Sequence, residues 1–132
     1  MRRRHLYLFI LISVLALLLV ACGGGTAAPT EPPASPTPSG DPVAGETLFV
    51  QSCSSCHGPA GEGIAGLGKD MTTSTFIAGM DDQEMLTFVK TGRPVSHPDN
   101  TTGVDMPPKG GNPALTDDQL LDIIAYIRTL QQ

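Results

Sequence analysis

The sequence contains no tryptophan, and only two tyrosines and four phenylalanines among 132 residues. A chain of this length suffices for one domain with tails, but so few aromatic side chains make a poor core for it. Basic residues are also scarce. Three of the eight are Arg2, Arg3 and Arg4, so the chain from Cys22 onward has five basic and thirteen acidic residues, a net charge of −8. This balance argues against nucleic acid as a partner and favours docking to a basic surface of another protein.

Cysteine occurs three times, and two of these residues belong to the motif Cys53-Ser54-Ser55-Cys56-His57. Two thiols at this spacing reach the two vinyl groups on one edge of a haem and form thioethers, and the adjacent imidazole then lies under the iron. The motif therefore predicts one covalently bound haem c, attached through Cys53 and Cys56, with His57 as the proximal iron ligand. The haem also supplies the apolar mass that the scarce aromatic residues do not.

A C-x-x-C motif also occurs in zinc sites and in dithiol oxidoreductases. A structural zinc site takes four protein ligands, whereas Cys22 and His5, out of three cysteines and three histidines, fall in a segment predicted to direct export. A dithiol oxidoreductase has a βαβ pattern near the motif, and this sequence has none. Haem attachment is therefore the favoured interpretation.

Residues 1–21 have the pattern of a lipoprotein signal peptide, with a positive start followed by an apolar run from Leu6 to Val20. The fifteen residues of that run are fewer than the roughly 20 needed to span a bilayer. The run ends at Leu19-Val20-Ala21-Cys22, which is similar to a lipobox and makes Cys22 the predicted lipidation site. The alternative is an uncleaved membrane anchor. Both interpretations attach the protein to the cell membrane, facing the periplasm or the cell exterior.

Two further segments follow. Residues 22–40 are rich in Pro, Gly, Ser and Thr, and this composition predicts an extended tether because it cannot bury enough apolar surface to fold. Its eighteen residues from Gly23 to Gly40 have a maximal reach of roughly 55 Å at about 3.1 Å per residue. Residues 41–132 are then the haem domain.

Helix-start signals occur at three points of the haem domain. Asp41 followed by Pro42 predicts an N-cap and the start of a helix that leads into the cysteines. Asp81 with Glu84 and Thr116 with Gln119 predict capping boxes for two more helices. The last helix carries an apolar stripe with helical spacing at Leu120, Ile123, Ile124 and Ile127. The predicted fold class is all-α.

The stretch from Gly92 to Leu115 holds twenty-four residues, nine of them Gly or Pro. A loop of this length in a compact domain is either disordered or functional. Met106 lies on it, forty-nine residues after His57, and Pro107 and Pro108 stiffen the backbone beside it. Its thioether is predicted as the distal iron ligand.

Other side chains compete for that assignment. Met71, Met80 and Met85 are predicted to be core fillers, the commoner role of methionine. His97 is an alternative distal ligand because imidazole also binds haem iron.

The segment 41–132 resembles the small class I cytochrome c family in four places: Gly45-x-x-x-Phe49, Cys53-x-x-Cys56-His57-Gly58, Met106-Pro107-Pro108 and the terminal Ala125-Tyr126-Ile127-Arg128. The resemblance implies helices packed around one covalent haem, with the first and last helices crossing where Gly45 and Phe49 meet Tyr126. Many relatives also carry a proline whose carbonyl orients the proximal imidazole. Residues 64–68 contain no proline, so another backbone carbonyl there is expected to replace it.

Closure of both axial positions by His57 and Met106 predicts a membrane-tethered electron carrier and not an enzyme. The expected partners are respiratory or photosynthetic redox proteins: a quinol-oxidising complex, a terminal oxidase or a reaction centre. One alternative is a fixed haem subunit of an oxidase or dehydrogenase complex. Another is a ligand-binding haem protein with an open distal site. The long tether favours the mobile carrier.

Overall fold

The computed structural model describes residues 40–132, so the predicted signal peptide, the lipidation site Cys22 and the tether up to residue 39 lie outside the described residues. Within 40–132 the secondary structure is helical, without strands. The elements are α1 (Pro42–Ser52), α2 (Ser54–His57), α3 (Thr75–Ala78), α4 (Asp82–Thr91), a 3-10 turn (Pro108–Gly111) and α5 (Asp117–Leu130). The predicted all-α class is confirmed. In this part of the chain no helix has both the length and the apolar character needed to cross a membrane.

The long helices begin at the predicted caps. The Asp41 carboxylate accepts hydrogen bonds from the backbone N–H groups of Val43 and Ala44. Full capping boxes form at the starts of α4 and α5, where each cap side chain binds the backbone three residues on and the partner side chain binds back. These local interactions fix where each helix starts, and so which of its faces turns toward the core.

Helices α1 and α5 cross in close contact at Gly45. A Cβ atom at that position would overlap the backbone carbonyl of Asp122, so the crossing requires glycine. One turn further along α1, the rings of Phe49 and Tyr126 lie 5.3 Å apart at 57°. The crossing that the family resemblance implied is confirmed.

The core lies between α1, α4 and α5. Its largest fully buried side chains are Phe49, Leu120, Ile123, Ile124 and Ile127, which include the whole predicted apolar stripe of the last helix. Met71 and Met85 are buried and Met80 packs against the same cluster, as expected of core fillers.

Arg128 ties the short helix α3 and the start of α4 to α5. Its Nε lies 3.0 Å from a carboxylate oxygen of Asp82, and its two terminal nitrogens donate to the carbonyl oxygens of Ile77 (2.8 Å) and Met80 (2.6 Å). A guanidinium supplies such a set of donors in one plane. These contacts hold the segment that forms one side of the cavity described next.

Candidate haem site

A cavity of about 560 Å³ is lined by Cys53, Cys56, His57 and Met106. The structure thus places the four predicted site residues of the haem domain around one space, although the sequence separates the first from the last by fifty-three residues. Helices α4 and α5 supply much of the apolar wall. It includes Met85, Phe88, Val89, Ile123 and Ile127.

The two thiols and the imidazole are presented by a break between α1 and α2. Cys53 leaves helical geometry at φ −120°, and the helical path then resumes from Ser54. The backbone N–H groups of Cys56 and His57 both donate to the Cys53 carbonyl, at 3.2 and 3.0 Å. Burial, with a smaller effect of the neighbouring Cys56, raises the pKa of the Cys53 thiol to about 11. In the haem-free chain this thiol is therefore protonated at neutral pH.

The His57 imidazole is oriented by a main-chain carbonyl. Its Nδ1 lies 2.9 Å from the carbonyl oxygen of Lys69. Because a carbonyl only accepts, Nδ1 carries the proton and Nε2 keeps its lone pair for a metal. The acceptor lies one residue beyond the proline-free segment 64–68 in which a substitute carbonyl was expected. A turn closed between Ile64 and Gly68 brings the chain back to this position, with the Ile64 N–H donating to Gly68 at 2.9 Å.

Met106 is held by a backbone bridge that the sequence analysis missed. The Arg93 N–H donates to the Met106 carbonyl at 2.8 Å, and the Met106 N–H donates to the Arg93 carbonyl at 2.9 Å. Gly92, which precedes the bridge, has φ +71° and lies so close to Met106 that a Cβ would overlap its carbonyl oxygen. The bridge fixes the backbone of the methionine at the end of α4.

Residues 94–105 form a loop beyond this bridge. Asn100 organises it: its side-chain oxygen accepts from the N–H groups of Thr102 (3.2 Å) and Gly103 (3.1 Å), and its Nδ2 donates to the Val104 carbonyl at 2.8 Å. His97 is exposed, and its Nδ1 accepts from the Asp99 N–H at 3.2 Å. Met106 lines the cavity and His97 does not.

Two basic residues, Lys69 and Arg93, also line the cavity. Lys69 donates from its ammonium to the hydroxyl of Thr101, in the loop 94–105. Arg93 stacks on two phenyl rings. Neither residue belongs to a recognisable motif, and only the folding of two distant loops brings them together.

The donor set fits a haem. One imidazole nitrogen and one thioether suit the two axial positions of haem iron, and two thiols suit its vinyl groups. The apolar wall suits the macrocycle. Gly110 leaves room beside the attachment site, since a Cβ there would lie 2.6 Å from the Ser52 carbonyl and 3.7 Å from the Cys53 sulfur. Residues 40–132 contain no cluster of three or more His, Cys, Asp or Glu side chains for a bare metal ion.

Comparison with known proteins agrees with this geometry. The family model described as Cytochrome c matches residues 42–131, from the first residue of α1 to the residue after α5. The chain belongs to the cytochrome c family. A cytochrome c of this family binds haem c covalently and acts in electron transport, and the Cys53–His57 motif has the form of its attachment site.

This cytochrome c is also similar to the Cbb3-type cytochrome c oxidase subunit CcoP of Rhodobacter capsulatus, with 26% identity over 89 residues. The corresponding subunit from a second strain of the same species is 27% identical over the same length. Those residues are 67% of this chain but 29% of each relative, so the chain spans less than a third of the length of the curated relatives it matches. No solved structure shows significant similarity to it.

Proposed function

We propose that this cytochrome is a membrane-tethered carrier of single electrons with one haem. Cys53 and Cys56 attach the haem, and His57 and Met106 are its two axial iron ligands. The observation that carries the proposal is that all four side chains line one cavity of about 560 Å³. Haem c, when bound there, supplies one-electron exchange.

Each iron ligand is restrained by the main chain. His57 is oriented by the Lys69 carbonyl, and Met106 by its two hydrogen bonds to Arg93. Ligands held in this way keep their positions when the charge of the site changes. Two protein ligands also leave no open position for a substrate, so the arrangement suits electron transfer better than catalysis.

The similarity to an oxidase subunit favours a second candidate, a fixed haem subunit of a larger oxidase or dehydrogenase. Partners proposed for either role are redox proteins: a quinol-oxidising complex, a terminal oxidase or a reaction centre. Purification from membranes in mild detergent separates the two candidates. Recovery as a single chain supports the mobile carrier, and stoichiometric recovery with oxidase subunits supports the fixed subunit.

Carbon monoxide titration of the reduced protein tests axial closure. A carrier with Met106 on the iron binds carbon monoxide weakly and slowly. Rapid, saturable binding by the wild-type protein contradicts the carrier proposal and indicates an open distal site.

The membrane attachment proposed here is a lipid on Cys22, at the outer face of the cell membrane. Its support is the lipobox-like sequence before Cys22 and the Pro-rich tether after it. Cys22→Ser blocks labelling by a fatty-acid probe and leaves an uncleaved precursor. A mature wild-type chain that begins after Cys22 and carries no lipid contradicts the proposal.

Acidic charge is proposed to steer docking to the redox partner. Two of the few cations are already used within the domain, in the pairs of Lys90 with Asp117 (2.7 Å) and Arg128 with Asp82 (3.0 Å). The rate of electron exchange is expected to fall as salt rises, because a Debye length near 10 Å at about 0.1 M screens surface charge. A rate that rises with salt contradicts acidic steering.

A further inference from the structure

Arg93 is placed on two aromatic rings at the wall of the cavity. The central carbon of its guanidinium lies 4.6 Å from the ring centre of Phe76 and 4.9 Å from that of Phe88. The two rings meet edge to face with their centres 5.2 Å apart. All three residues line the cavity. Stacking of this kind fixes the plane of a guanidinium and leaves its N–H edge free to bind.

The guanidinium has no anionic partner among residues 40–132. Neither an ion pair nor a side-chain hydrogen bond joins it to another group in this range. Three carboxylates line the same cavity but make other contacts. Asp70 accepts from the Thr72 N–H at 2.7 Å. Asp105 accepts from the Val95 N–H at 2.5 Å, and Asp99 lies 3.9 Å from Nδ1 of His97.

Two other cations of the domain have partners within the chain, unlike the Arg93 guanidinium. Arg128 in the same domain is paired with Asp82 and with two carbonyl oxygens. Lys69, the second cation of the cavity, already donates to Thr101. A half-buried guanidinium whose donors have no partner is unfavourable, because charged groups removed from water need compensating contacts. Arg93 therefore has donors available for a carboxylate that the chain itself does not provide.

We propose that Arg93 binds a carboxylate of the haem. The inference rests on the proposed function, since it requires haem in the cavity. A haem carries two propionate carboxylates, on the edge of the macrocycle away from the vinyl groups that Cys53 and Cys56 take up. A planar guanidinium binds a carboxylate through two parallel hydrogen bonds. The other source of a carboxylate is an acidic side chain of a docking protein. The haem is favoured because Arg93 lines the cavity that holds the attachment motif.

This contact gives Arg93 two connections to the haem site. Its side chain binds the anionic edge of the haem, and its backbone exchanges two hydrogen bonds with Met106. Arg93 is a cofactor-binding and positioning residue. Its positive charge, close to the haem, disfavours the more positive ferric state and raises the reduction potential.

The test uses purified holoprotein without any partner, in the variants Arg93→Met and Arg93→Lys. Resonance Raman spectroscopy records the bending bands of the haem propionates, and a redox titration records the potential. Arg93→Met keeps an apolar contact with the two rings, shifts a propionate band and lowers the potential. Arg93→Lys keeps the charge, so the potential recovers most of the loss while the band stays shifted. Lys90→Met removes a cation from the same helical region and leaves the propionate bands unchanged.

Unchanged propionate bands in both Arg93 variants overturn the inference. A separate binding assay with the redox partner then identifies the source: if Arg93→Met weakens that binding while the propionate bands are unchanged, the carboxylate belongs to the partner. If Arg93→Met does not fold, Arg93→Lys alone decides, because the loss of the bidentate contact still shifts the band. The proposed function fails separately, by absence of covalent haem from the wild-type protein.

Discussion

Nδ1 of His57 lies 2.9 Å from the main-chain carbonyl oxygen of Lys69, twelve residues further along the chain. The acceptor belongs to the backbone, so it does not depend on which side chain stands at position 69. The Lys69 side chain makes a separate contact, with Thr101 in the loop on the other side of the cavity. Lys69 therefore has two roles, one of its backbone and one of its side chain, and a substitution of the side chain can separate them.

Lys69→Ala is expected to keep the orientation of His57. The absorption spectrum and the electron paramagnetic resonance of the oxidised protein should match those of the wild type, since both depend on the axial ligands. Loss of the exposed contact with Thr101 should lower the free energy of unfolding by no more than about 0.5 kcal/mol. A changed ligand field in Lys69→Ala contradicts the assignment of the role to the main chain.

Met106→Ala is expected to open the distal position. The oxidised variant should lose the near-infrared sulfur-to-iron band, and the reduced variant should bind carbon monoxide rapidly. The reduction potential should fall, because a thioether favours ferrous iron and water does not.

Met80→Leu is the matched control, since Met80 packs on the core but does not line the cavity. It should keep all of these signals, because volume-conserving core exchanges usually cost less than about 1.5 kcal/mol. If Met106→Ala keeps a six-coordinate low-spin spectrum and His97→Ala loses it, His97 is the ligand.

Replacement of both Cys53 and Cys56 by Ala is expected to abolish covalent attachment. Acid-acetone extraction should leave the haem on the wild-type chain and remove any haem from the double variant. Each single variant retains one thioether position and should keep part of the haem. Release of free haem from the wild type on extraction would show that these cysteines do not form thioethers.

Gly45→Ala is expected to destabilise the crossing of α1 and α5. A Cβ at this position overlaps the Asp122 carbonyl, which is backbone and cannot rotate away. Overpacking of this kind costs about 1–3 kcal/mol, measured by denaturant unfolding of the holoprotein. Gly79→Ala is a milder comparison, because Gly79 has an ordinary helical φ of −84° and a Cβ there would lie 3.3 Å from the Thr75 carbonyl. Equal losses in the two variants contradict the close crossing.

Asp70 is expected to make stability depend on pH in the acid range. Hydrogen bonds from the Thr72 side chain and backbone, and then from Thr73, lower the pKa of Asp70 below its ordinary value of 3.8. Because the folded state binds this proton less readily than the unfolded state, the contribution is complete above the ordinary pKa and is lost as the pH falls through the folded value. Thr72→Val removes the first of these donors, so its stability deficit should be present at pH 6 and shrink as the pH falls below the ordinary pKa of Asp70. A deficit independent of pH contradicts this linkage.

The caps and the attachment motif were predictable because their partners are close in sequence. Asp81 with Glu84 and Thr116 with Gln119 each act within one helical turn, and the haem motif spans five residues. The close approach of Gly45 to α5 was available only from the resemblance to a family, since no local pattern specifies which helix will cross there.

Two parts of the site have no local signature. The bridge between Arg93 and Met106 is a single residue pair, so no alternation of apolar and polar residues marks it as a strand. The Lys69 carbonyl becomes the acceptor of His57 because of the path that the turn at 64–68 takes, and a carbonyl group is present in every residue. Contacts made by backbone groups are hard to predict from a sequence, because nearly every residue carries the same groups.

The bridge also determines where this domain tolerates change in chain length. The two hydrogen bonds between Arg93 and Met106 join the two ends of the loop 94–105. The backbone position of Met106 therefore depends on this bridge and not on the length of the loop. The entropic cost of closing a loop rises only slowly as residues are added to it. Insertions and deletions between Val95 and Val104 are therefore expected to leave the backbone position of Met106 unchanged.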